Sequence, residues 1–323
     1  MTLKNSYQVF GDKDAIENKK PIAITFGNFD GVHEGHFYLI QELKKMSKNI
    51  PIVVVTFDPH PATFFSGGVA KPLLNTLSDK ISLLLKSGVN TVIIQEFTNE
   101  FAMLTADDFC LWLKDNFNIH AVMLGHDFCY GKQRKGNFDH MKLFAEKEHW
   151  EIRQTQPFKL YDDKVVSSSF VRQVLSDGNA EDAEKLLSRP YFLPGVVVKG
   201  DQRGRLMGFP TANIELDDIL VVPKYGVYAC YVEIDSNGIL LPAVMNCGVR
   251  PTIASGLKLQ IEAHILNFSD DIYSRKVKFH LKKFIRGEIK FTGIDQLKEQ
   301  ITKDVEQARS FFMDNLNEQV NKL

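Results

Sequence analysis

The sequence offers little that would tie it to a membrane, a polyanion or an oxidising compartment. Its apolar runs are short pieces such as IVVV at 52–55, far below the ~20 residues that cross a bilayer. Lys and Arg number 39 against 40 Asp and Glu, for a net charge of −1, so the chain carries no electrostatic footprint for nucleic acid. Cysteines are few, at 110, 129, 230 and 247, and no two form a CxxC pair. That removes zinc-ribbon and thioredoxin-like readings and leaves four reduced thiols, partly in the core, of a protein expected in the cytoplasm. The first twenty residues are polar and charged and hold no signal-peptide core. No GxxxxGK[ST] loop, internal repeat or low-complexity tract is present. What is there is a globular composition, 44% hydrophobic and 24% charged over 323 residues, a length that points to two domains.

The first half alternates two periodicities. Apolar, β-branched runs at 22–26, 52–57, 91–94 and 121–124, with a weaker one near 152, read as strands. Helical spacing fills the gaps at 37–46, 78–87, 106–117 and 138–149, with Thr105 and Asp108 as a helix start. Strands apolar on both faces and separated by helices predict a doubly wound parallel sheet, which binds ligands outside the carboxyl ends of its strands. Two short helices follow at 168–176 and 181–187, and Pro190 and Pro194 bracket an expected linker. Beyond it, strand periodicity at 195–199, 226–234, 240–247, 259–266 and 276–285 predicts a small antiparallel barrel. From Ile294 a stripe of Leu297, Ile301, Val305, Ala308 and Phe312 predicts a helix packed on that barrel.

Chemistry concentrates at strand ends. GNFDGVHEGH at 27–36 leads from the first strand into a helix, where unpaired N–H groups and the helix dipole favour an anion. His33 and His36 share one side of the first helical turn and can stabilise charge on a phosphate; as an isolated pair, they can equally serve local hydrogen bonds. TFDPHP at 56–61 and GHDFCYG at 125–131 end two further strands, and VSSSFVR at 166–172 places serines before a helix with an arginine in its first turns. The serines alone read as helix caps, whereas Arg172 behind them suits a phosphate held by a planar fork.

These four motifs, in this order, resemble the N-terminal half of the bacterial bifunctional riboflavin kinase/FAD synthetases, within the nucleotidyltransferase superfamily. The resemblance runs from about residue 20 to 187 and implies a Rossmann-like fold that adenylylates FMN with ATP, giving FAD and pyrophosphate. It implies ATP contacts from Gly27, Asn28, Phe29 and Asp30, with His33 and His36 on the phosphates in a catalytic role. Ser168, Ser169 and Arg172 match a second phosphate motif, with Ser169 where relatives usually carry threonine. Asp127 matches a position near the nucleotide ribose, and Pro59, Pro61 and Phe128 are implied on the flavin side. Arg134, in GKQRKG, is open between a phosphate contact and a solvated loop charge.

In the second half, GDQRGRLMGFPTAN at 200–213 holds three glycines, Gly200, Gly204 and Gly208. Such a loop can cradle phosphates through backbone N–H groups, or it can be a plain turn. Thr211 and Asn213 point to one face of a strand, and a hydroxyl beside an amide oxygen suits Mg²⁺. In QIEAHILNF at 260–268, Ile261, Ala263 and Ile265 take one face, and Gln260, Glu262 and His264 the other. The second face is either solvated or a site in which Glu262 serves as general base to a substrate hydroxyl.

GRLMGFPTAN, PKYGVYA, NCGVRPT, IEAHIL and FIRGEIKF resemble riboflavin kinase motifs in family order over roughly residues 190 to 322. The resemblance implies that Thr211 and Asn213 engage Mg²⁺ and ATP phosphates, with Gly200, Gly204, Arg205 and Gly208 in the ATP-binding loop. Glu262, at the flavin, is implied to deprotonate the ribityl hydroxyl of riboflavin. The expected architecture is an α/β nucleotidyltransferase domain at 1–187 and an antiparallel β-barrel riboflavin kinase domain with a packed C-terminal helix at 188–323. Expected partners are riboflavin, FMN, ATP and FAD, with no nucleic acid and no membrane, in a monomer or weakly self-associating chain. Two alternatives stand beside it: adenylyl transfer to another acceptor, which the barrel motifs disfavour, and a flavin-binding regulator with an inert site, which predicts motif losses that the chain does not have.

Overall fold

The computed structural model describes residues 7–66, 72–160, 163–200, 204, 207–216, 220–252 and 256–320. They form two compact units, 1–168 and 169–323.

The first unit begins with β1 (Tyr7–Gly11) and the short α1 (Asp14–Glu17), and β2 (Ile22–Phe26) leads into α2 (Glu34–Ser47). β3 (Ile52–Asp58) is followed by α3 (Pro61–Phe65) and α4 (Leu77–Lys86). β4 (Thr91–Glu96), α5 (Asn99–Ala102), α6 (Ala106–Asn116) and β5 (Ile119–Leu124) continue the alternation, and α7 (Phe138–Glu148) precedes β6 (Glu151–Gln154). A two-stranded piece, β7 (Lys159–Leu160) with β8 (Lys164–Val165), closes the unit. The sheet order is β1-β4-β3-β2-β5-β6, parallel throughout except for β1, which runs antiparallel to β4. Chain order reverses between β2 and β5, the switch point at which open α/β sheets bind ligands.

β2 is apolar throughout because both of its faces are covered. Ile22, Ile24 and Phe26 point to Phe109, Trp112 and Met141 on the side of α6 and α7. Ala23 points the other way, to Leu39, Ile40 and Leu43 of α2. Each large side chain buried in this way contributes about 1.5–3 kcal/mol. Strand β1 has no counterpart in the sequence reading. Its YQVFG is short and sits in a charged stretch, so only pairing with the β4 edge reveals it as a strand.

From Ser169 the second unit takes in the rest of α8 (Ser168–Ser176) and α9 (Ala180–Leu187). α9 buries Ala183, Leu186 and Leu187, and its Glu184 meets Lys282 at 2.6 Å. The barrel strands are β9 (Phe192–Val198), β10 (Ala212–Glu215), β11 (Gly226–Ile234), β12 (Leu240–Thr252), β13 (Gly256–Ile265) and β14 (Lys276–Arg286), closed in the order β10-β13-β12-β11-β14-β9. α10 (Ile294–Val320) lies on the barrel through Val305, Ala308 and Phe312, against Val227, Ala229 and Val244. The structure divides the chain after Ser168, where the sequence reading placed the domain boundary at 187/188. The expected linker is corrected, since its second half is strand β9. Pro194 is tolerated there because it pairs with Lys278 alone, and β10 joins β9 only from Val196 onward.

Candidate active sites

In the first unit the turn after β2 is built to hold an unusual backbone. Phe29 and Val32, neither of them glycine, take φ of +47° and +40°, and Gly31 takes +84°. Such conformations cost ~1–3 kcal/mol each for residues with a side chain, and complete burial of Phe29 and Val32 in the α2 core offsets that cost. Gly27 N–H donates to Val55 O at 3.1 Å, and Thr56 Oγ1 donates to Asn28 O at 3.1 Å, fastening the turn to β3. Asp30, only 2% exposed, accepts from Leu74 N–H at 2.9 Å, while Gly31 N–H donates to Asn75 Oδ1 at 2.5 Å.

His33 immediately precedes α2 and His36 lies in its first turn, as the spacing predicts. Their rings stack at 3.7 Å with 16° between planes. His33 N–H donates to His36 Nδ1 at 3.2 Å, so a neutral His36 ring carries its proton on Nε2, the kind of donor an anion accepts from. A Cβ on Gly35 would lie 3.2 Å from the His33 ring and 3.3 Å from Val166 O, a tight fit that glycine relieves beside the 166–168 segment. Ser168 Oγ then donates to Asp30 O at 2.8 Å, joining the serine motif to the first turn across 138 residues of sequence.

The remaining residues expected here distribute differently. Asn28 is exposed, and Phe29, being fully buried, has only its backbone to offer a ligand. Asp127 projects from the loop after β5 with 83% of its side chain exposed. Phe128 stacks on Tyr130 at 5.9 Å, and Tyr130 OH meets His140 Nδ1 at 2.7 Å, an anchor from α7 that sequence spacing does not signal. Pro59 is exposed and Pro61 half-buried at the start of α3, where the His60 ring accepts from Ala62 N–H. Arg134 is exposed. Ser169, exposed, and Arg172, half-buried, lie on α8 in the second unit.

In the second unit the barrel register assembles the site. Asn213 on β10 pairs with Glu262 on β13, Glu262 with Asn246 on β12, Asn246 with Val227 on β11, and Val227 with Arg286 on β14. Directly opposed residues share a face, so three polar side chains and an arginine form one row around the wall. Thr211 Oγ1 donates to Glu262 Oε2 at 3.1 Å, and Gln260 Nε2 donates to Asn213 Oδ1 at 3.2 Å. The row faces a cavity of about 320 Å³ between the barrel wall and α10, closed on the helix side by Leu297, Ile301 and Asp304. Of the two readings for the Glu262 face, a cavity wall therefore prevails over a solvated surface.

Gly200 and Gly204 serve close approach: a Cβ would fall 2.5 Å from Asn213 Nδ2 at the first and 2.4 Å from Phe209 O at the second. Gly208 is exposed, and Arg205 lies outside the described residues. Arg286 and Asp304 escape the sequence reading as a pair. The guanidinium donates through Nε and Nη2 to the two carboxylate oxygens at 2.8 and 2.7 Å, with 18% and 4% of the side chains exposed. The oxygens of Thr211, Asn213 and Glu262 form a donor set suited to a hard divalent cation that keeps water and phosphate ligands. Among the described residues no cluster of three His, Cys, Asp or Glu side chains forms a metal cage.

Each half matches a family model: FAD synthetase over residues 15–170 and riboflavin kinase over 187–312. The bifunctional riboflavin kinase/FMN adenylyltransferase of Escherichia coli K12 is 40% identical over 293 residues, spanning 90% of this chain and 92% of the relative. The chain belongs to the bifunctional riboflavin kinase/FMN adenylyltransferase family. The Bacillus subtilis family member is 36% identical over 302 residues, covering 92% of this chain and 94% of the relative. Among solved structures, one described as a macrolide-efflux protein from Streptococcus pneumoniae superposes with a TM-score of 0.80 at 30% identity, over 90% of this chain and 94% of that one. No helix among the described residues of this family member is long and apolar enough to cross a membrane.

Proposed function

We propose that the family's two activities occur at the two sites described, FMN formation at the barrel and FAD formation at the β2 turn. The chain is a transferase that phosphorylates riboflavin with ATP and adenylylates FMN with ATP. The observation that carries the site assignment is the row Asn213–Glu262–Asn246 with Thr211 donating to Glu262 on the cavity wall. A carboxylate on a rigid strand, oriented by a hydroxyl, is suited to accept the proton of the ribityl hydroxyl as that oxygen attacks the γ-phosphorus of ATP. Thr211 and Asn213 would hold Mg²⁺, which supplies charge neutralisation at the phosphates. Gly200, Gly204, Arg205 and Gly208 would approach the nucleotide from the loop.

At the other site a phosphate oxygen of FMN attacks the α-phosphorus of ATP and pyrophosphate leaves, with no covalent enzyme intermediate. Positioning and charge stabilisation then carry the catalysis. His36, through Nε2–H, and His33, stacked on it, donate to phosphate oxygens. Gly27, Asn28, Phe29 and Asp30 contribute chiefly turn backbone. Ser168 anchors the turn, and Ser169 and Arg172 take phosphate contacts by motif. Asp127 takes the ribose, and Pro59, Pro61 and Phe128 the flavin. The domain functions follow the boundaries 1–187 and 188–323, and four free thiols suit a cytoplasmic location. Incubation with riboflavin, ATP and Mg²⁺, with FMN and FAD separated by chromatography, tests the proposal. Both products should form in sequence, and absence of either removes the corresponding site.

A further inference from the structure

A hydrogen-bonded chain of side chains runs behind the loop that follows β5, and neither reaction assigned above uses it. Cys110 Sγ of α6 lies 3.5 Å from Tyr130 OH, Tyr130 OH lies 2.7 Å from His140 Nδ1 of α7, and His140 Nε2 lies 3.2 Å from Asp107 Oδ1 at the start of α6. The carboxylate end sets the direction of the chain. An ionised carboxylate only accepts, so a neutral His140 ring gives its single N–H from Nε2 to Asp107. Nδ1 then accepts from the Tyr130 phenol, and the Cys110 thiol donates to the phenol oxygen. Burial pushes both the phenol and the thiol up, so each keeps the proton that the chain needs.

The chain fixes one ring of an aromatic wall. Tyr130 is 6% exposed, and its ring packs on Phe109 of α6 at 4.8 Å. Tyr130 and Gly136 exchange backbone hydrogen bonds at 3.0 and 2.9 Å, and the Tyr130 ring lies where a Cβ on Gly136 would be. Lys132 N–H donates to Leu104 O at 2.6 Å, which seats the rest of the loop on the approach to α6. Phe128 stacks on Tyr130 at 5.9 Å with 21° between planes, and it meets Phe26, the last residue of β2, at 6.1 Å. Phe128 is thus at the carboxyl ends of β2 and β5, the neighbouring strands of the switch point where such sheets hold ligands. A half-buried aromatic ring there offers a planar surface to a planar ligand.

We propose that Tyr130, held by His140 and Asp107, is a positioning residue for FMN in adenylyl transfer: it fixes Phe128, and Phe128 meets the isoalloxazine ring. The inference rests on the reading that Phe128 lies on the flavin side of this site. Tyr130 and His140 themselves touch no substrate. Without His140 the phenol keeps only the thiol, a weak partner, and the Tyr130 ring shifts together with the Phe128 ring stacked on it.

Steady-state kinetics of FAD formation by the full chain, with FMN and ATP varied separately, test this. Tyr130→Phe removes the phenol oxygen and keeps the ring, whereas His140→Ala removes the anchor from α7. Each should raise KM for FMN by about threefold or more, with KM for ATP and kcat within about twofold of wild type. A purely structural role would lower kcat through loss of folded enzyme and leave both KM values unchanged. His140→Asn places Oδ1 near the position of Nδ1 and offers the phenol an acceptor again, so KM for FMN should return to within about twofold of wild type. A smaller rise in either of the first two variants, an equal rise in KM for ATP, or a His140→Asn value no better than that of His140→Ala overturns the proposal. Should Tyr130→Phe fail to fold, the two His140 variants decide by the same criteria. Phe128→Ala measured alongside keeps the two ideas separable. KM for FMN within about twofold of wild type in that variant removes the flavin reading and the inference with it. A rise there beside unchanged Tyr130→Phe and His140→Ala removes the inference alone.

Discussion

Thr211 Oγ1, one residue before β10, donates to Glu262 Oε2 on β13 at 3.1 Å, joining residues 51 apart in sequence. The hydroxyl gives its single proton to the carboxylate and keeps its lone pairs for another partner. Glu262→Ala should lower FMN formation from riboflavin by about 10²–10⁴-fold, the range expected for a general base. Conversion of supplied FMN to FAD should continue near the wild-type rate. Chromatography of the two reactions run separately checks this, and joint loss of both would mean that the sites are not independent.

His36→Ala has the opposite signature. Removing one preorganised donor to the phosphates should lower FAD formation by about 10²–10³-fold, while FMN accumulates from riboflavin. His36→Gln, which offers an amide N–H in place of Nε2–H, should recover part of the loss.

Arg286 and Asp304 tie β14 to α10 through a two-bonded ion pair that is 18% and 4% exposed. Asp304→Ala leaves the guanidinium without its carboxylate, a change worth about 3–5 kcal/mol for a buried pair. Differential scanning calorimetry should show a lower transition for the barrel, with FMN formation lost at temperatures where FAD formation persists. Replacing both residues by apolar side chains should cost less stability than the single change, although the pocket wall would lose its charge.

The cysteines provide a pH test. Burial pushes the Cys110 thiol up to about 11 and the Cys247 thiol up to about 12, and raises Cys230 further. At pH 8 these three are thiols and unreactive, whereas Cys129 is half-buried. Iodoacetamide should therefore add one label to the native protein and four after denaturation, as counted by intact mass. The raised thiols also stabilise the fold fully below the ordinary value of 9.0 and progressively less as pH climbs toward about 12. An alkaline melting series should show that decline.

Local pattern is what made most elements legible. Strand β2 and its neighbours read correctly because an all-apolar run has only one comfortable place, the middle of a covered parallel sheet. α10 was visible because Leu297, Ile301, Val305, Ala308 and Phe312 repeat at helical spacing. β1 was not visible and β9 was visible only from Gly195, since YQVFG and the proline-bearing start FLP become strand only through neighbours distant in sequence. Thr211, Asn213 and Glu262 could be singled out by residue type and alternation. Asn246, Arg286 and Asp304 could not be joined to them without the register.

By itself, then, the sequence determined most of the segments that become strands and helices and which short motifs hold the reactive groups, because alternation, helical spacing and glycine-rich turns are local. Tertiary structure alone decided that Asn213, Glu262, Asn246 and Arg286 share one row, because barrel closure sets strand register. It alone decided that Ser168 touches Asp30, because that contact joins residues 138 apart in sequence.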